Sequence, residues 1–119
     1  IDSKAELVAA AGWATYSSIL AITPDEKLDL AEIDRLLDRA ERTVHSERNR
    51  VRYTINNFII SVGACVPSRT NRAKAIGERV GKVHVNMGGT ACKVPLITPY
   101  IEKIEARGAI GKKRKQARC

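Results

Sequence analysis

Apolar residues recur at helical spacing in five stretches of the chain, separated by short polar breaks. In DSKAELVAAAGWATYSSILA, Ser3 stands three residues before Glu6, the reciprocal arrangement that satisfies free amides at a helix start, so a first helix is expected over about 4–21. Its AAAG centre has little side-chain bulk and lets a neighbour approach closely. Asp29, with Glu32 three positions on, caps a second helix whose stripe of Ile33, Leu36, Leu37, Ala40 and Val44 backs a solvated face of alternating charge. The third helix, about 49–66, is apolar more than halfway round through Val51, Ile55, Phe58, Ile59, Ile60 and Val62, and belongs inside. Pro67 ends it, Ser68 is the expected cap of a fourth helix, and Gly81 stops that helix.

After Gly81 the period changes to two. Val83, Val85 and Met87 alternate with polar residues, Gly88 and Gly89 suit a tight turn, and Thr90, Cys92 and Val94 return on the same face. A β-hairpin over 82–94, packed on the helices, is the expectation. Thr98 and Pro99 then open a last helix, about 99–107, with Tyr100, Ile101 and Ile104 as apolar contacts and Gly108 as its stop. The fold class is therefore mainly α, an α-solenoid of antiparallel helix pairs ending in a small β-hairpin and a final helix. It divides into helical repeats over 1–81, hairpin and helix over 82–108, and a basic flexible tail over 109–119. A solenoid repeat buries one face on its neighbour, so helix 1 is expected to expose an apolar side where preceding repeats of a longer parent are missing.

Charge changes the picture more than composition does. Residues 1–65 carry 8 Lys and Arg against 10 Asp and Glu, and residues 66–119 carry 13 against 3, so the net +8 resides in the second half. Such a half suits a polyanion, nucleic acid before membrane surface, because no amphipathic anchor or lipidation signal accompanies it, and no run approaches the roughly 18 apolar residues of a membrane span. A soluble, cytoplasmic protein is expected. Cys65, Cys92 and Cys119 form no CxxC pair, which argues against a zinc site or a disulfide framework. No metal or other cofactor is expected.

Along RNRVRYTINNFIISVG, Arg48, Arg52 and Asn56 fall at i, i+4 and i+8, and Asn49, Tyr53 and Asn57 on the adjacent line. That strip of cations and hydrogen-bonding groups suits phosphate and sugar contacts; its alternative is a set of bonds to neighbouring helix ends. Lys112, Lys113, Arg114 and Lys115 form a compact cationic run that adds salt-dependent affinity for DNA, or simply solubilises the tail. Trp13, with Ala9, Tyr16 and Leu20 on one side of helix 1, is read as packing, with an aromatic cleft wall as the other reading. Catalytic sets are thin. GERVGKV lacks the spacing of a phosphate loop, and His45 in HSERN and His84 on the hairpin's outer face complete no triad.

The segments AAAGWATYSS, NRVRYTINNFIISVG, GKVHVNMGGTACKVP and YIEKIEARGAIGKKRK together resemble the C-terminal half of the DNA alkylation repair protein family, the AlkD-like alkylpurine DNA glycosylases with HEAT-like repeats. The resemblance implies a solenoid of HEAT-like repeats whose concave face holds duplex DNA by its backbone. It also implies hydrolysis of the N-glycosidic bond of cationic alkylpurines, with an aspartate stabilising the oxocarbenium charge and tryptophans and an arginine gripping the backbone. The acidic residue would precede Ile1, the arginine would fall near Ala9 or Ala10, and a later tryptophan near Asn57, so these roles do not transfer. Catalytic residues stay unassigned. The expected function is the DNA-binding helical-repeat portion of a DNA repair protein, through Arg48, Arg52, Tyr53, Asn56, Asn57 and the run Lys112 to Lys115. The alternatives are a protein-interaction repeat module and, further off, an enzyme using Cys92 and His84.

Overall fold

The computed structural model describes residues 6–83, 94–108 and 110–111. They form five α-helices, α1 (Glu6–Ile22), α2 (Leu30–Thr43), α3 (Asn49–Cys65), α4 (Thr70–Val80) and α5 (Ile97–Ala106), and two 3-10 turns, Asp25–Lys27 and Pro67–Arg69. No strand occurs among the described residues. Most of the expected hairpin falls on residues 84–93, outside the described set. Of its flanks, Lys82, Val83 and Val94 are described and none is in a strand, although Val83 is buried and Val94 packs on the core.

α3 is central, as its wide apolar surface requires. Val51, Ile55, Phe58, Ile59 and Val62 are wholly buried on it, and every other helix touches it. The helices do not pair off in simple succession. α1 packs on α3 and makes no comparable contact with α2, while α2 rests on α3 and α4. Ala9 and Ala10 are buried, which lets α1 approach closely, and Trp13 and Leu20 fill the junction. Trp13 lies 5.0 Å from the Phe58 ring at 60°, and Tyr16 meets the same ring edge-on at 5.8 Å. The packing reading of Trp13 holds. On the outer side α1 leaves Val8, Ile19 and Ile22 exposed, the apolar line expected of it.

Local chemistry sets most boundaries. The Asp29 carboxylate accepts from the Glu32 amide at 3.1 Å and starts α2. Gly81 and Gly108 take φ of 65° and 67°, which glycine alone adopts without strain, and end α4 and α5. Two expected caps are wrong. Arg69, not Ser68, precedes α4 and makes no side-chain cap; the Thr70 hydroxyl instead donates to the Gly63 carbonyl at 2.7 Å. α5 starts at Ile97, two residues early, because the Thr98 hydroxyl turns inward and donates to the Lys74 carbonyl at 2.8 Å rather than capping its own helix. The expected cap at Ser3 lies outside the described residues.

Two glycines inside helices mark close crossings. A Cβ on Gly63 would overlap the Ile101 Cδ1 end. One on Gly77 would come within 2.7 Å of Ile97 Cγ2 and 2.9 Å of Ile97 Cβ, so α4 and α5 touch nearly backbone to backbone. These contacts seat α5 against α3 and α4.

Candidate nucleic-acid interface

The polar strip expected on α3 does not stay together. A step of four residues advances about 400° around a helix, so Arg48, Arg52 and Asn56 drift roughly 40° at each step. Asn56 ends up wholly buried. Its amide Nδ2 donates to the Pro95 carbonyl at 3.0 Å, and its Oδ1 meets no donor among the described residues. Asn56 is thus a clamp on the segment leading into α5, and its expected place on a DNA-facing surface is corrected.

Arg48 and Arg52 sit half-buried at the start of α3. The Arg48 guanidinium lies 3.4 Å from the Glu47 carboxylate, which also accepts from the Arg48 amide at 3.0 Å. Arg52 Nε donates to the Glu47 carbonyl. A carboxylate therefore stands beside the strip, just outside the stretch in which none occurs. Tyr53 and Asn57 remain half-exposed. They share the outward line of α3 with exposed Arg50 and half-exposed Thr54 and Ser61. Arg50 was missed because it breaks the i+4 register. The i+7 spacing of Arg50, Asn57 and Ala64 was the available signal, since it drifts only about 20°.

The charge of the second half is partly spent inside the protein. Arg69 grips Asp34 with two bonds, of 2.6 and 3.0 Å. Arg72 bridges Asp34 and Asp38 at 3.0 and 2.6 Å, and Arg79 holds both oxygens of Glu41. Lys74 pairs with Glu105 at 2.7 Å. Bonding from the Arg69 guanidinium holds the Asp34 carboxyl below its ordinary 3.8, and Arg79 does the same for Glu41 below 4.5. Four cations of the basic half thus make ion pairs within the protein, Arg69, Arg72 and Arg79 with acids of α2 and Lys74 with an acid of α5.

Among the described residues no group of His, Cys, Asp and Glu is placed to hold a metal. His45 Nε2 lies 2.8 Å from the Val80 carbonyl, tying the end of α2 to the end of α4. His84, Cys92 and the run Lys112 to Lys115 lie outside the described residues. The root of that run is described: the Gly111 amide donates to the Ala64 carbonyl at 2.7 Å, at the C-terminal end of the open α3 face. A helix C-terminus is the end that favours cations. Ala9 and Ala10, where the resemblance would set a DNA-gripping arginine, are covered by α3.

A solved structure from a family described as related to the HEAT-like repeat DNA glycosylases, with affinity for branched DNA structures, superposes with a TM-score of 0.85 at 29% identity, over 97% of this chain and 49% of that one. The fold is that of a HEAT-like helical repeat. Uncharacterised proteins of Listeria monocytogenes and Listeria innocua are each 41% identical over 107 residues, 90% of this chain and 45% of theirs. The chain spans about half the length of the curated relatives it matches. No family model matches it. No helix among the described residues is long and apolar enough to cross a membrane.

Proposed function

We propose that this chain is a DNA-binding part of a helical-repeat protein and holds DNA by its backbone along the open face of α3. The observation that carries the reading is the outward line of Arg50, Tyr53, Thr54, Asn57 and Ser61, on a helix with no Asp or Glu between Asn49 and Cys65. Arg48 and Arg52 stand at one end of that helix. Gly111, the residue before Lys112 in sequence, is tied by its amide to the Ala64 carbonyl at the other. The affinity of the structural relative's family for branched DNA structures supports the same partner, and a cytoplasmic location goes with that reading. The reading needs no cofactor. It assigns no glycosylase chemistry to this chain, since no residue here matches the acid that the resemblance implies; Asp34, Asp38 and Glu41 of α2 pair with Arg69, Arg72 and Arg79.

Binding of the protein to labelled duplex and four-way junction DNA across a salt series tests this. The expected result is affinity that falls steeply with salt, with Arg50→Ala lowering the slope of log affinity against log salt by about one. Absence of binding to either DNA at low salt would overturn it. A second reading, a protein-interaction repeat, is favoured by exposed Val8, Ile19 and Ile22 on α1, and predicts that Ile19→Ser abolishes a protein contact and leaves DNA binding unchanged.

A further inference from the structure

α5 sorts its side chains by chemistry around its axis. Ile97, Thr98 and Ile101 are buried against α3 and α4. The acids turn toward α4: Glu105 bonds Lys74 at 2.7 Å, and Glu105 and then Glu102 raise the Lys74 pKa. The outward side carries Leu96, Tyr100, Lys103 and Arg107, at i, i+4, i+7 and i+11. Tyr100 is 44% exposed and Leu96 48% exposed, although the apolar pattern placed Tyr100 among the helix's inward contacts. Both cations are exposed, and neither has an ion-pair partner among the described residues. Tyr100, Lys103, Ile104, Ala106 and Arg107 line an open groove of about 330 Å³.

An exposed ring with cations three and seven residues on, the acids turned away, matches one kind of partner. Aromatic stacking accepts any nucleobase that is not already stacked in a duplex. Lysine and arginine on the same face can reach the phosphates on either side of that base. A protein partner would be expected to meet a more continuous apolar patch than Leu96 and Tyr100 provide.

We infer that the outer face of α5 is a platform for an unpaired base at a DNA branch or end, Tyr100 stacking on the base and Lys103 and Arg107 holding its phosphates. The assignment rests on the DNA-binding reading above and adds a site for the structure-specific part of that binding, separate from the α3 face that follows the duplex backbone.

The test compares a duplex closed by hairpin loops away from the protein's footprint with the same duplex carrying an unpaired 2-aminopurine at a three-way branch. Tyr100→Ala is expected to weaken branch binding by about tenfold or more and closed-duplex binding by less than twofold. The 2-aminopurine fluorescence quench that the wild type produces should disappear in Tyr100→Ala and persist in Tyr100→Phe. Lys103→Ala with Arg107→Ala should weaken branch binding while keeping the quench. If Tyr100→Ala weakens both DNAs equally, or neither, the platform is overturned and the backbone reading stands. If the wild type binds neither DNA, both readings fall. Tyr100 is exposed, and an unchanged melting temperature of Tyr100→Ala separates a binding loss from a folding loss.

Discussion

Where α1 meets α3 the contact is apolar, with Trp13 and Tyr16 closing on Phe58 over the buried alanines. Where α2 meets α4 and the turn before it, the contact at the surface is a row of ion pairs, Asp34 with Arg69 and Arg72, Asp38 with Arg72, and Glu41 with Arg79. The first junction depends on shape and is indifferent to salt and pH. The second depends on ionisation, and it also draws three arginines of the basic half away from any polyanion. Charge counted along the chain therefore overstates the charge offered to a partner.

The largest expected effect breaks the shape-dependent junction. Trp13→Ala should cost about 3–5 kcal/mol in urea unfolding, because the side chain is wholly buried and α3 cannot collapse into the space. Val8→Ser on the same helix faces outward and should change stability by less than about 0.5 kcal/mol. Equal losses for the two would mean that the α1 outer line is covered in solution.

A smaller effect separates close backbone approach from side-chain filling. Alanine is better than glycine inside a helix by about 1 kcal/mol, yet Gly77→Ala should destabilise by about 1–3 kcal/mol, since its Cβ meets Ile97 near the backbone. Gly63→Ala should cost less, because the atom it meets first is the far end of the Ile101 side chain rather than a group next to the backbone. The reverse order, read from melting temperatures, would show that α5 moves away from α4 more easily than the Ile101 side chain gives way.

Periodicity made the helices legible: the stripe of α2, the inner character of α3, and the stops at Gly81 and Gly108 all follow from spacing and glycine chemistry. The site was less legible for two physical reasons. A line drawn at i+4 drifts around the helix, so Arg48, Arg52 and Asn56 look aligned in sequence while Asn56 turns into the core and Arg50 holds the open side. Pairings such as Arg69 with Asp34 join positions 35 residues apart, and no local pattern announces them. Gly63 and Gly77 did carry a signal, since a glycine kept inside a helix despite its cost points to a close neighbour.

The smallest effect tests the charge-dependent junction. The Asp34 carboxyl is held below its ordinary 3.8 by Arg69 and Arg72. A depressed carboxylate contributes stability that is fully present above its unfolded value and is lost as pH falls through the lower folded one. Asp34→Asn should therefore cost about 1 kcal/mol at pH 7, in keeping with a partly exposed pair, and the difference from wild type should shrink as pH drops below about 4. Glu41, held below 4.5 by Arg79, should add to the same acid loss, while Trp13→Ala keeps its full cost at both pH values. Raised salt should trim the Asp34→Asn difference and leave the Trp13→Ala difference intact. If Asp34→Asn costs as much at pH 3 as at pH 7, the α2–α4 contact is held by side-chain packing and its arginines are available to DNA after all.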